Sequence, residues 1–396
     1  MQVSDRPKFC YRVAGIGLSL VLIALLTACS LPVRVSAEER LFLPLSLEFL
    51  GEYDLPKQTF QETPVGGLSG LTYDRQRSRF YAISDDRSQL APARFYTLNL
   101  SLKPAEKGKI ALDKVAVEAV TFLKDEQGNP YAQGSIDAEG IALSPRNTLF
   151  ISSEGSPKQG IVPFVGEFNL KTGQKGQGLR LGDRYLPNTA GPEGTAPRGV
   201  QENLAFEALT LSPNGLLSGD PFRLFTATES SLLQDHPPKT PKEQARLRFL
   251  HYLINPIGNP LLVAEHLYLL DGATSDTLSN GLSELTALPK EGYFLSLERT
   301  LSLSGFGAKI FQVVNSNATD TSSLLSLPEN LGNVVPLRKR LLLDLSDLGI
   351  ELDNLEGMTL GPRLPDGSQT LVLVSDDNFR DSQVTQFLLF RLVEGK

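Results

Sequence analysis

The chain has 396 residues, with 38 Lys+Arg against 45 Asp+Glu and a formal charge of −7. No basic tract offsets that charge, which argues against a nucleic-acid partner and requires a local cation wherever an anionic ligand binds. A hydrophobic content of 41%, with 34 Gly and 26 Pro, fits a turn-rich globular fold that buries a core.

The first segment has three parts. Arg6, Lys8 and Arg12 form a charged start, Val13 to Leu26 form an apolar run, and Leu26-Thr27-Ala28-Cys29 closes it. This is the outline of a secretory signal. Its ending resembles the bacterial lipobox, which implies removal of 1–28, a lipid on Cys29 and a tether over 29–40. The expected location is the extracytoplasmic side of a bacterial membrane, with a lipid anchor as the membrane partner. Ser30 leaves sorting to the outer membrane open. Cys10 and Cys29 are the two cysteines, so the mature fold has no disulfide. No second apolar run is long enough to cross a bilayer.

Globular sequence begins near Leu41, and its main signal is an internal repeat. Five hairpins share one pattern: a small or acidic residue, an apolar run, a turn, and an apolar run ending in acid. The first strands are Gly67–Asp74, Asp137–Ser144, Asn203–Thr210, Gly281–Ala287 and Asn354–Leu360. Their partners are Phe80–Asp86, Leu149–Glu154, Leu224–Glu229, Tyr293–Glu298 and Leu371–Asp377. The apolar anchors Leu71, Ile141, Leu209, Leu285 and Met358 lie 70, 68, 76 and 73 residues apart. That period suits a four-stranded propeller blade.

Further strands follow the hairpins: Arg94–Leu100 and Val115–Phe122, Arg248–Leu253 and Leu261–Tyr268, Lys309–Val314 and Arg340–Leu345. After the fifth hairpin there is room for one more, Gln386–Leu392. Its missing outer neighbour is assigned to Leu45–Leu50, which closes the ring and removes a free edge. The expected fold is all-β: a propeller of five four-stranded blades over 41–396, closed by an N-terminal strand. Six blades, one with a lost pattern, is the alternative. Pro241–Leu250 is the best helical window. Gly173–Gly178 reads as a blade-two loop and Asn188–Gln201 as a longer one.

The repeat also places acids. In an antiparallel hairpin, the start of the first strand and the end of the second are neighbours. The first set is Ser69, Glu139, Glu207, Glu284 and Glu356; the second is Asp85, Glu154, Glu229, Glu298 and Asp376. Rotation about the propeller axis brings these positions to one channel mouth. Nine carboxylates so arranged cannot all ionise without arginines, a cation or raised pKa values. Arg87 and Arg299 follow two of the acids and are candidates to pair with them. Oxygen donors favour Ca²⁺ or Mg²⁺ over zinc. The competing role for such residues is bonding the backbone of a neighbouring blade. Gly67-Leu-Ser-Gly lacks the last glycine of a nucleophile elbow and leads into a strand, so it does not support a serine triad.

Gly66-Gly-Leu-Ser-Gly-Leu with Ser84-Asp-Asp-Arg87, Asp137-Ala-Glu-Gly140, Leu297-Glu-Arg299, and Asn354-Leu-Glu-Gly357 with Ser375-Asp-Asp377 occur in that order. They resemble the phytase-like family, described as "esterase-like activity of phytase", over roughly Leu47–Leu392. The resemblance implies a propeller and hydrolysis of a small-molecule phosphoester or other ester. Calcium would sit among Asp85, Glu139, Glu154, Glu207, Glu229, Glu284, Glu298, Glu356 and Asp376. Arg87 and Arg299, with Glu139 and Glu356, form the candidate catalytic set. The competing reading is a non-enzymatic envelope propeller that binds a ligand or partner at the same mouth.

Overall fold

The computed structural model describes residues 39–104, 110–188, 196–212 and 219–395. The leader, Cys29 and part of Asn188–Gln201 lie outside the described residues. The chain divides into two units, 1–43 and 44–396. In the first, the described part includes a 3-10 turn over Glu39–Leu41. The second is the propeller. Among the described residues, no helix is long and apolar enough to cross a membrane.

The propeller unit starts with β1 (Leu45–Leu55) and a small hairpin of β2 (Gln58–Phe60) and β3 (Thr63–Val65). Blade one is β4 (Leu68–Asp74), β5 (Arg79–Ser84), β6 (Arg94–Pro104) and β7 (Ile110–Phe122). Blade two is β8 (Ala138–Leu143), β9 (Thr148–Ser153), β10 (Phe164–Asn169) and β11 (Lys175–Gly178). Blade three is β12 (Phe206–Leu211), β13 (Phe222–Thr228), β14 (Arg246–Ile254) and β15 (Leu261–Leu269). Blade four is β16 (Thr277–Ala287), β17 (Tyr293–Ser302), β18 (Gly305–Val314) and β19 (Arg338–Asp344). Blade five is β20 (Asn354–Arg363), β21 (Gln369–Asp376) and β22 (Thr385–Glu394), completed by β1. Each blade is an antiparallel meander, and the five-bladed count holds.

The closure pairs Leu47 with Leu392 and Phe49 with Phe390, then resumes after a bulge as Tyr53 with Phe387. The closing strand is longer than expected because Gly51–Leu55 pair as well. Two expectations fail. Lys175–Gly178 is the outer strand of blade two, not a loop; on this outer strand a polar, glycine-rich sequence pairs with β10. The window Pro241–Leu250 is not helical: it is a turn followed by β14, whose Leu247, Phe249 and Leu250 fill core on both faces.

Short turns begin with side-chain caps. Asp74 Oδ1 accepts from Gln76 and Arg77 N–H, and Ser144 Oγ accepts from Arg146 N–H. These are local bonds that favour turns over continued strand. The core lies between blades. Phe80, Tyr96, Val372, Val374 and Phe387 join blades five and one. Phe225, Phe249 and Phe294 join three and four, with ring centroids 4.7 and 5.2 Å apart edge to face. Two arginines, each with no exposed surface, pin loops to third strands. Arg94 Nη1 meets Asp86 Oδ2 at 2.6 Å. Arg248 grips Asp235 through Nε at 2.6 Å and Nη2 at 2.9 Å, and also meets Glu265.

The inner strands β4, β8, β12, β16 and β20 touch in sequence and close a ring around the axis. They run very close together. A Cβ added at Gly140 would lie 2.3 Å from Glu207 O, and one at Gly70 would lie 2.5 Å from Glu139 O. Only small residues fit there, which explains the Gly following each acid in Asp137-Ala-Glu-Gly140 and Asn354-Leu-Glu-Gly357.

Candidate metal and active site at the channel mouth

Every inner strand shifts register two residues before its anchor, at Leu68/Gly70, Ala138/Ile141, Phe206/Leu209, Leu282/Glu284 and Leu355/Gly357. Such bulges re-aim the residue they leave unpaired. Aligned on the anchors, that residue is Ser69, Glu139, Glu207, Ser283 and Glu356. The pairing of the second strands gives the matching partner set. Leu68, Ala138, Phe206, Leu282 and Leu355 face Ser84, Ser153, Thr228, Glu298 and Ser375. The next residue in each blade is therefore Asp85, Glu154, Glu229, Arg299 and Asp376.

Blade four thus departs from the expected ring. Glu284 stands at the small-residue position, one place late, and its carboxylate accepts from Leu209 N–H at 3.0 Å and Leu285 N–H at 2.9 Å. Glu298 turns outward, pairs with Lys339 and accepts from Tyr268 Oη at 2.5 Å. Neither joins the other acids. Ser283 and Arg299 take their places, so blade four contributes a cation to the ring. Ser69 donates to the next blade at Glu139 O (3.0 Å), while Ser283 donates to Leu297 O of its own blade at 3.2 Å and to Leu355 O of blade five at 3.5 Å.

Glu139, Glu154, Glu207 and Glu229 come close together, and Asp85, Glu356 and Asp376 lie near enough for Glu356 to act on the charge of the other two. Oxygens of Asp137, Glu139 and Glu154 lie within 4.8 Å of one another, as do those of Glu154, Glu207 and Glu229, so Glu154 belongs to both groups. Asp137 was missed from the expected ring. It stands four residues before its anchor, and its signal is the ion pair it makes with Arg87, whose Nε donates to Asp137 Oδ1 at 2.6 Å. Arg87 therefore pairs across to blade two, not with Asp85, and its Nη2 donates to Asn203 Oδ1. Arg299 Nη2 donates to Glu229 Oε1 at 2.8 Å and Nη1 to Asn354 Oδ1 at 3.1 Å, while Nε faces Glu356 Oε1 at 3.5 Å. Close packing supports these contacts: Gly281 lies so near Glu229 that a Cβ would sit 2.1 Å from Oε1.

Burial and crowding set the protonation. Burial first, then Asp137 and Asp85, pushes the Glu139 carboxyl well up. Burial and Glu229 do the same to Glu154, and burial and Glu229 to Glu207. Asp85 and Asp376 are raised by burial and by neighbouring acids, with Glu356 acting on both. Glu356 is raised by burial, against the pull of Arg299. Burial raises Asp137 to about 6 despite Arg87, and Glu229 to about 7 despite Arg299. Burial opposes the charge on Arg299, but Glu356, Glu229 and Glu207 outweigh it and raise its pKa. The mouth is a shared store of protons and negative charge, partly offset by two guanidinium groups. Its donors are hard oxygens, which suit calcium or magnesium.

The chain shares its outline with several solved structures at very low identity. The WD40 domain of Neurospora crassa Pan2 is 9% identical, covers 91% of this chain and 97% of its own, and gives a TM-score of 0.30. The N-terminal domain of Nup159 is 11% identical over 92% and 98%, with a TM-score of 0.34. The α-L-arabinofuranosidase PaAbf62A of Podospora anserina, solved with cellotriose, is 6% identical over 88% and 98%, with a TM-score of 0.38. At those scores the likeness carries no argument about function. No curated protein matches the chain in sequence. The phytase-like family model, described as "esterase-like activity of phytase", matches residues 63–379, from the entry to blade one through the acid-bearing turn of blade five. The chain belongs to the phytase-like propeller family.

Proposed function

We propose that the acid mouth binds a divalent cation and, with it, hydrolyses a small phosphoester or other ester. The observation that carries this reading is a set of buried carboxylate oxygens without a hydrogen-bond partner: Asp85 Oδ1, Asp137 Oδ2, Glu154 Oε2 and Glu229 Oε2. Three of the four residues belong to the two close oxygen groups. Crowded, buried carboxyls are costly to ionise alone, and a hard cation that displaces their protons satisfies several of their oxygens at once. Asp137, Glu139 and Glu154 would hold one ion, and Glu207 and Glu229 offer a second set through the shared Glu154. A bound divalent cation supplies Lewis-acid polarisation of an ester oxygen and a lowered pKa for water.

The remaining work falls to the chain's own side chains. Arg87 is one-third exposed (34%) and can orient an anionic group through an N–H its protein partners do not use. Arg299 is occupied by Glu229, Glu356 and Asn354, and its part is to offset charge. Family membership supports an ester-hydrolysing propeller. The leader supports export, with Cys29 lipidated and the propeller on the extracytoplasmic side. One observation favours the non-enzymatic alternative: both guanidinium groups already bond protein acceptors.

The test is hydrolysis of p-nitrophenyl phosphate and p-nitrophenyl acetate with calcium or with chelator. The expected result is turnover that chelator removes and that Glu154→Gln abolishes without loss of folded signal. Calcium binding without turnover on any ester would leave the binding propeller as the function.

A further inference from the structure

A second site lies on the other side of the channel. A cavity of about 530 Å³ is lined by the anchors Leu71, Ile141, Leu209, Leu285 and Met358 and by the residues that follow them in each inner strand. Its volume is in the range of small-molecule sites, roughly 300–1,000 Å³. Glu284 separates it from the acid mouth: its carboxylate, at the level just before the anchors, accepts from Leu209 and Leu285 N–H. The two ends of the channel therefore differ in chemistry, and the acids play no part in lining this one.

Directly after the anchors runs a belt of hydroxyls, Thr72, Thr210, Thr286 and Thr359, with Ala142 in blade two. The inner strands are edge strands, so their peptide groups on the axis side have no ladder partner. Adjacent blades supply some partners through this belt. Thr72 Oγ1 accepts from Leu143 N–H at 3.1 Å, and Thr210 Oγ1 accepts from Ala287 N–H at 3.0 Å. Thr286 Oγ1 donates to Met358 O at 2.9 Å. A hydroxyl that accepts still has a proton to donate, and one that donates can still accept. The wall therefore presents mixed donors and acceptors. The charged lining residues are Asp74 and Arg75. Asp74 is held by Arg77 at 2.6 Å, and Arg75 Nη2 donates to Gln369 Oε1 at 3.2 Å.

We propose that this end of the channel binds a neutral, hydroxyl-rich small molecule of the polyol or monosaccharide class. Such a molecule donates and accepts along its length, as the wall does. A fully apolar ligand would strip water from peptide groups without replacing its bonds. The two charged lining residues, Asp74 and Arg75, are of opposite sign, so the wall carries no net charge to hold an anion.

Saturation-transfer NMR and calorimetry with glucose, ribitol and myo-inositol test this, with hexanol and hexanoate as apolar and anionic controls. The expected result is millimolar binding of at least one polyol, weakened more than about tenfold by Thr359→Phe, which fills the cavity. Thr359→Ser, which keeps the hydroxyl, should retain most of the affinity, whereas Thr359→Val, similar in volume without the hydroxyl, should weaken it. If Thr359→Phe does not fold, Thr359→Leu carries the same comparison. Glu154→Gln should leave polyol binding unchanged, so failure here and failure at the acid mouth are distinguishable. Absence of polyol binding, preference for hexanol or hexanoate, or binding indifferent to the filled cavity would overturn the proposal.

Discussion

Replacing Glu229 by Gln isolates the cost of holding charge in the mouth. Glu229 is 2% exposed, so solvent does little to screen it. Its carboxyl is raised from 4.5 to about 7, by burial first and against Arg299. At about 1.4 kcal/mol per pH unit, that displacement is worth about 3 kcal/mol. The sign follows from proton binding. Between pH 4.5 and 7 the folded state holds more protons at this site than the unfolded state. The stabilising effect of the proton is complete below pH 4.5 and lost as pH rises through 7. Gln carries no such term, and it also relieves repulsion on Glu154 and Glu207. In chelator, urea unfolding should therefore show Glu229→Gln gaining on wild type by about 3 kcal/mol between pH 4.5 and pH 8. His251, lowered to about 4 by burial and Arg223, titrates with the opposite sign, but it is common to both proteins and cancels. A difference independent of pH, or one that grows in favour of wild type, would refute the reasoning.

Deleting residues 41–55 removes β1 and bares the edge of β22; a large loss in unfolding midpoint and self-association in light scattering are expected. Arg248→Met leaves Asp235 buried without its ion-pair partner and Glu265 with Arg184 at 3.4 Å; a loss of about 3–5 kcal/mol in urea unfolding at pH 7 is expected, and a loss under 1 kcal/mol would count against a structural pin. Cys29→Ser should leave the protein soluble or with its leader uncleaved, as read by membrane fractionation of expressing cells; unchanged partition with membranes would refute lipid anchoring.

The five hairpins and their closure were legible because Leu71, Ile141, Leu209, Leu285 and Met358 recur among β-branched and aromatic neighbours. That pattern survives large differences in loop length. The acids were legible in kind but not in register. Reading each acid relative to its hairpin end puts Glu284 beside Glu207, whereas counting from the anchor puts Ser283 there. A bulge makes that single residue decisive, because one step reverses the face a strand residue addresses. The same count converts Glu298 into Arg299 and gives blade four its opposite charge. Outer strands were less legible. Lys175–Gly178 carries no apolar pattern; beside its backbone pairing to β10, Lys175 Nζ lies 4.5 Å from the Phe164 ring centroid. Arg246–Ile254 is buried along most of its length, so its apolar run has no period that separates strand from helix. Asp137 went unread as a site residue because its partner, Arg87, lies in another blade.

Calcium titration by calorimetry at pH 7, in two buffers of different ionisation enthalpy, tests the central claim most directly. A cation entering a mouth whose carboxyls hold protons must displace some of them. The expected result is binding at millimolar calcium or below, roughly the range of extracellular sites, with release of about one proton or more and loss of binding in Glu154→Gln. No binding at millimolar calcium, or binding that releases no proton and ignores Glu154→Gln, would contradict the account.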